Sequence, residues 1–393
     1  MKKRFMAAIL SVAMVATVLV GCGTTETTDT TVSTETTDAT DEAADVADVV
    51  EGTVDVSDAN VAVFYYTYSD TYIASVRTAL DAQLTSLGVT FQNYDGNSNQ
   101  TTQNEQIDTA INTGATMLVV NIVTSGSVDA SQAIVDKAEA AGIPVLFFNR
   151  AVETDDEEGV VLGSYDQCAF VGTDAPEAGH MQGQMIGEYI IANYDAIDLN
   201  GDGEISYAMF MGQLGNVEAI YRTQFAVEDA NALLTAADYP ELVYFDSANS
   251  DQYQVDQDGN WSATAANNYM VTNLTQYNEA AGTMIEVVIC NNDGMAEGVV
   301  TALNAAGYNL GTDDCTTIPV FGVDATDAAV QLIAEGKMTG TIKQDAEGMA
   351  EGIAFLVSNV ASGNDMMDGT DSYNVSDTVS NKIYIPYAVY SGE

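Results

Sequence analysis

Val61-Ala-Val-Phe-Tyr-Tyr66 is followed by Ile73, Val76, Leu80, Leu84 and Leu87, with Gly88 directly behind them. The first stretch is a short apolar run of the kind that fills a strand covered on both faces. The second places apolar residues three and four apart, the spacing of one helix face, and the glycine ends it. The unit recurs. Further apolar runs begin at Val89 (VTFQNY), Met117 (MLVVNIV) and Ile143 (IPVLFFN), 26 to 28 residues apart, and Ile107 and Ile111 keep helical spacing ahead of Gly114. A second series follows at Ile205–Met211, Leu242–Phe245, Ile285–Cys290 and Ile318–Val323. Short strands alternating with helices imply parallel βαβ units. About 330 residues lie beyond position 60, too many for one typical core and enough for two. The expected fold class is α/β, with two doubly wound parallel-sheet lobes.

In such sheets a ligand sits beyond the carboxyl ends of the strands. The residues at those ends are Tyr66 to Tyr72, Asn149-Arg150, Gly212 to Arg222, Asn291-Asn292-Asp293 and Asp324. They include carboxylates, amides, arginines and aromatic rings, with neither His nor Cys. Carboxylates accept from hydroxyls, amides both give and take, and arginine donates in a planar fork. Asp70, Asn149, Arg222, Asn292 and Asp324 form a set suited to a polyhydroxylated ring, and Tyr72 and Trp261 can cover its C–H faces.

Asp198-Leu-Asn-Gly-Asp-Gly-Glu-Ile-Ser206 carries side-chain oxygens at Asp198, Asn200 and Asp202, with Gly203 at the sixth position. That is the front of a Ca²⁺ loop, in which Glu204 contributes its carbonyl and Ser206 a hydroxyl or a bridging water. The twelfth position, where a bidentate Glu belongs, is Met209. The missing carboxylate must come from elsewhere in the chain.

Lys2, Lys3 and Arg4 precede an apolar run from Phe5 to Val20 that ends in Leu19-Val20-Gly21-Cys22. A run this short reads as a secretory signal over residues 1–21, not as a membrane span. Its end resembles a bacterial lipobox, which makes Cys22 the expected lipidation site and the membrane attachment a lipid anchor at the outer face. Residues 22–58 are rich in Thr, Asp and Glu, with no aromatic or basic residue. They are expected to form a disordered, self-repelling acidic tether. The formal net charge is −48, and removal of the three basic leader residues takes it to −51. Such a chain does not bind nucleic acid or anionic lipid through its own charge. Cys168, Cys290 and Cys315 have no metal-type spacing and are expected to be structural thiols.

The pieces with most character are Tyr66-x-Tyr-x-Asp70-x-Tyr72, Phe147-Phe-Asn149, Val171-Gly-Thr-Asp174, Asp198-x-Asn-x-Asp-Gly203, Glu286-Val-Val-Ile-Cys-Asn-Asn-Asp293 and Phe321-Gly-Val-Asp324. In this order, over Asn60 to Tyr390, the chain resembles the type I periplasmic solute-binding proteins of ABC transporters, in their galactose/glucose-binding group. The resemblance implies two lobes joined by hinge strands: 59–173 plus about 344–370, and 174–343 plus about 380–393. It makes Tyr72 and Trp261 the sandwich around a pyranose, and Asp70, Asn149, Arg222, Asn292 and Asp324 the hydroxyl ligands. It also supplies Glu286 as the bidentate carboxylate of a structural Ca²⁺, beside Asp198, Asn200, Asp202, Glu204 and Ser206. Implied partners are a hexose and an ABC permease, with a chemoreceptor as a further role, and a monomer is expected. Three binding positions depart from the family: Asn216 stands for a His, Glu218 for an Asp and Gln344 for an Asn. These reshape the pocket and bear on galactose against glucose. Ala248 to Asn260 resembles an insertion just ahead of Trp261.

An enzyme is the main rival, and it usually places a His, a Cys or a paired carboxylate in the cleft. The single histidine, His180, falls in an expected helix over Pro176 to Tyr194 and reads as a surface residue. A repressor of the same fold needs a helix-turn-helix before the first strand, where this chain has a leader and an acidic tether.

Overall fold

The computed structural model describes residues 58–392. The leader, Cys22 and nearly all of the tether lie outside the described residues. The first lobe runs β1 (Asn60–Tyr65), α1 (Thr71–Leu87), β2 (Thr90–Asp95), α2 (Gln100–Asn112), β3 (Met117–Val120), α3 (Val128–Ala141), β4 (Val145–Phe148) and β5 (Cys168–Gly172). The second runs α4 (Ala175–Ile197), β6 (Ser206–Met211), α5 (Val217–Ala236), β7 (Val243–Tyr244), β8 (Gln254–Val255), α6 (Ala263–Leu274), β9 (Val287–Cys290), α7 (Asp293–Ala306), β10 (Val320–Asp324), α8 (Asp327–Ala334) and β11 (Gly340–Gln344). The chain then returns to the first lobe with α9 (Ala346–Ala361), β12 (Asn374–Val375) and β13 (Lys382–Tyr384), and ends in the second with β14 (Tyr387–Tyr390).

The first sheet has the order β12-β13-β5-β4-β3-β1-β2 and the second β14-β11-β10-β9-β6-β7, with β8 also on β6. Pairing is parallel except at the two edges, where β12 meets β13 and β14 meets β11 antiparallel. Both lobes are therefore doubly wound α/β sheets, as the alternation of runs implies. Each strand of the opening series falls within three residues of the expected start. Ile73, Val76, Leu80 and Leu84 are fully buried under the first sheet, and Gly88 caps α1 in the left-handed region at φ 74°. Burying each such side chain contributes about 1.5–3 kcal/mol, which is what turns a marginal helix into a fixed one.

Three short crossings join the lobes: Thr173–Asp174, Asp345 and Ile385–Pro386. The last corrects an expected boundary. Residues from about 380 do not belong wholly to the second lobe, because Lys382–Tyr384 pairs with β5 in the first sheet and only β14 joins the second. An amphipathic three-residue strand carries too little periodicity to declare which sheet it will enter. The expected insertion has a structural place as well, since β8 pairs with the end of β6 (Phe210 with Gln254) beyond the two-residue β7. Cys168, Cys290 and Cys315 are free thiols, the first two buried.

Candidate ligand-binding site

The carboxyl ends of β1, β4, β6, β9 and β10 face one another across the gap between the lobes. All ten residues expected there line one cleft: Asp70, Tyr72 and Asn149 from the first lobe, and Asn216, Glu218, Arg222, Trp261, Asn292, Asp324 and Gln344 from the second. The empty space between them is about 360 Å³, its mouth included. Tyr66, Ile73 and Arg150 complete the lining and were not among the expected ligands. Two contacts close the lobes over it. Arg150 Nη2 donates to Gln213 Oε1 at 2.6 Å, and Ser98 Oγ donates to Asn260 Oδ1 at 2.8 Å.

Three of the ten have a second duty as helix N-caps. Asp70 Oδ1 accepts from Ile73 N at the start of α1, Asn216 Oδ1 from Ala219 N at α5, and Asn292 Oδ1 from Met295 N at α7. Each cap satisfies an orphan amide and turns the positive end of its helix toward the cleft. For the two asparagines it fixes which end of the amide is occupied. The oxygen belongs to the helix, so the Nδ2 group is left to donate. Asp70 Oδ2 accepts from Tyr66 OH at 2.7 Å, while Asn149 Oδ1 accepts from Asn121 Nδ2 at 3.2 Å. Asn121, fully buried, also accepts from Tyr66 N and donates to Phe148 O, tying the ends of β1 and β4 together. Asn149, Trp261 and Asp324 hold positive φ angles of 61°, 55° and 127°, a concentration of backbone strain common at binding sites.

Arg222 is the electrostatic centre. Its Nη1 donates to Asn291 O at 2.9 Å, and its Nη2 to Gln344 Oε1 at 3.1 Å and Tyr387 OH at 3.0 Å. The guanidinium lies 3.9 Å from Asp324 Oδ1, and both side chains are buried. Burial pushes the Asp324 carboxyl well above the usual carboxylate range; Arg222 opposes that shift, while Asp293 and Asp70 add to it. Behind it, Asp293 accepts from Thr341 Oγ1 and Thr326 N, yet burial still pushes its pKa up to about 7. Tyr387 reaches Thr173 Oγ1 at 2.8 Å, so the hinge is wired to the same arginine.

Trp261, the chain's single tryptophan, is buried against Gly212. The segment ahead of it ends in a turn that Asp256 fixes by accepting from Asp258 N and Ser262 N. Four buried polar atoms around the cleft have no partner: Arg150 Nε, Glu218 Oε2, Arg222 Nε and Trp261 Nε1. Native interiors leave few such groups, and their convergence on one cleft marks where a polar ligand would be held.

His180 lies in α4 as an exposed side chain, stacked on Phe225 and 2.7 Å from Asp229, away from the cleft lining.

Asp198, Asn200 and Asp202 sit together in the loop after α4. Their side-chain oxygens accept from loop amides: Asp198 from Gly201, Asp202 and Gly203, Asn200 from Asp202, and Asp202 from Glu204. Glu286, fully buried, spans both ends of the loop by accepting from Leu199 N and Asn200 N through Oε1 and from Ser206 N through Oε2. Burial raises its pKa against those three amides, and Asp198 nearby adds to the rise. Ser206 Oγ donates to Met284 O at 2.5 Å. The donor set is all oxygen, as a hard divalent cation requires. Among the described residues no group of three or more His, Cys, Asp or Glu stands close enough to hold a metal as placed. A cation would have to draw these oxygens inward.

Among the described residues no helix is long and apolar enough to cross a membrane. Residues 61–365 match the periplasmic binding protein domain family. The chain is 32% identical to the D-galactose/methyl-galactoside binding periplasmic protein of Haemophilus influenzae over 84% of its own length and 89% of that protein's. It is 25% identical to the D-xylose-binding periplasmic protein of Escherichia coli over 77% and 78% of the two chains. Among solved structures, an ABC transporter solute-binding protein of Bacillus halodurans with bound myo-inositol superposes with a TM-score of 0.63 at 24% identity, over 86% of this chain and 96% of that one. Another, from Clostridium phytofermentans with bound β-D-glucose, gives 0.64 at 21% identity, over 85% and 94%. With this cleft, this two-lobed fold and these relatives, the chain belongs to the periplasmic binding protein family, as a solute-binding protein and not an enzyme.

Proposed function

We propose that this protein binds a pyranose hexose of the galactose or glucose type outside the cytoplasm and delivers it, as a monomer, to an ABC transporter permease. The observation that carries the reading is the cleft itself. Buried donors and acceptors with unmet hydrogen bonds stand beside Trp261, with Tyr72 across from it on the other lobe. Hydroxyls both donate and accept, so a sugar can meet the two arginine N–H groups and the Glu218 oxygen at once. Tyr72 and Trp261 are the apolar surfaces for its C–H faces. The galactoside-binding relative supports the hexose choice, and the departures at Asn216, Glu218 and Gln344 bear on the epimer.

Two further parts belong to the proposal. Cys22 carries the lipid that tethers the chain to the outer face of the membrane through residues 22–58. A structural Ca²⁺ is held by Asp198, Asn200, Asp202, the Glu204 carbonyl, Ser206 and Glu286, and its chemistry is to neutralise carboxylates that no Lys or Arg pairs with among the described residues. A chemoreceptor is a second user of the closed form.

Because the only tryptophan lines the cleft, its fluorescence reports occupancy directly. Titration with galactose or glucose is expected to give a saturable change in emission. No change with any aldohexose up to millimolar concentration would overturn the reading.

A further inference from the structure

The cleft has a neighbour. On the hinge side a second space of about 780 Å³, its mouth included, opens between the lobes, larger than the cleft measured the same way. Both spaces share the same two walls. Asn149 and Arg150 line the cleft and the chain runs on through Ala151 to Thr154 along the cavity; across the gap, Asn216 leads to Val217 and Glu218. Glu218 lines both spaces. Its side chain is buried, 7% exposed, and its Oε2 has no partner.

The far wall of this cavity is built for a polar ring. Lys382 Nζ lies 5.1 Å above the Tyr384 ring and 5.9 Å above Phe170, and donates to Glu158 Oε1 at 3.0 Å. A cation and a carboxylate set on aromatic faces can exchange hydrogen bonds with hydroxyls while the rings meet C–H groups. A further gap beside the crossing at Asp345, near Lys343, is larger at about 1140 Å³ with its mouth included, but none of its lining atoms is a buried polar group without a partner.

We propose that the hinge-side cavity is a second saccharide subsite, so that the cleft takes a hexose joined to a second sugar ring, with Glu218 at the junction. The proposal rests on the hexose reading above and extends it. A single ring fills the cleft; the second ring lies against Lys382, Glu158 and Tyr384.

Calorimetry on the wild-type protein with galactose, glucose, lactose, melibiose, cellobiose and maltose tests it. At least one disaccharide is expected to bind within thirtyfold of the better monosaccharide. Disaccharides all weaker than that, beside a monosaccharide that binds, would overturn the subsite and leave the hexose reading standing. If no sugar of either size binds, both fall. Ala175 lines the cavity and not the cleft. Ala175→Trp is expected to weaken the disaccharide more than thirtyfold and the monosaccharide less than threefold, the latter also certifying the fold; equal effects on both would overturn the subsite. A crystal structure with the disaccharide gives a reading independent of any variant. The second ring beside Lys382 supports the proposal, and a second ring in solvent or in the gap near Lys343 refutes it.

Discussion

The indole of Trp261 occupies the space that any side chain at position 212 would need. A Cβ built on Gly212 falls far inside van der Waals contact with Cδ2 and Cε3 of that ring. The residue directly after β6 is therefore a glycine, which leaves room for the aromatic wall of the cleft. Trp261 itself is held at a φ of 55°, a conformation few side chains adopt, by the turn that Asp256 ties down.

Gly212→Ala is expected to push the indole out of place. Hexose affinity should fall at least tenfold while the melting temperature drops by only a few degrees. Trp261→Ala should cost more, about a hundredfold or roughly 2.7 kcal/mol, in line with buried aromatic anchors elsewhere. Calorimetric titration of both variants checks the order, and an unchanged affinity in either removes Trp261 from the ligand's wall.

Arg222 and Asp324 form a buried pair that shares its hydrogen-bond partners with the hinge. Removing the guanidinium leaves the buried Asn291, Gln344 and Tyr387 oxygens without their donor and Asp324 without its partner, which costs about 3–5 kcal/mol. Arg222→Met is expected to destabilise the protein by that order in urea titration and to abolish sugar binding. Arg222→Met with Asp324→Asn should recover much of the stability and none of the binding.

Asp293 gives a pH dependence with a definite sign. Its folded pKa, near 7, lies above the value of an unfolded Asp, so the folded state holds the extra proton between about pH 4 and 7. The contribution of this group to stability is then greatest on the acid side of that window and declines as pH rises through it, by at most about 1.4 kcal/mol per unit, beside that of Asp324, whose carboxyl is raised as well. Asp293→Asn should flatten this slope. Urea midpoints at pH 5, 6 and 7 for both proteins decide it, and parallel slopes would show that Asp293 is not the titrating group.

Glu286 is the hub of the loop after α4, since its two oxygens hold amides at both ends. If calcium binds there, EDTA should lower the melting temperature, and saturation at a hundred times the dissociation constant should restore about 2.7 kcal/mol. Glu286→Gln should remove the difference. A melting temperature indifferent to EDTA in the wild type would refute the cation site.

Much of this was legible because local signals and burial agreed. The apolar runs at Val61 and Met117 could be nothing but buried strands, and the rule that ligands gather at strand ends led to Asp70, Asn149, Arg222, Asn292 and Asp324. Arg150, Tyr66 and Asn121 escaped for a different reason. Arg150 stood at a strand end in plain sight, but its role depends on Gln213 in the other lobe, and Asn121 acts by bridging the ends of β1 and β4. Such partnerships are set by packing and leave no periodicity. The helix-capping duty of Asp70 was not read from the sequence either: Oδ1 accepts from Ile73 N, and Oδ2 accepts from Tyr66 OH at the cleft.

The most direct test is a calorimetric titration of the calcium-replete protein with galactose, glucose, ribose and xylose. The account predicts one saturable site for galactose or glucose, at least tenfold tighter than for either pentose. No heat with any hexose, or a pentose bound most tightly, would contradict it.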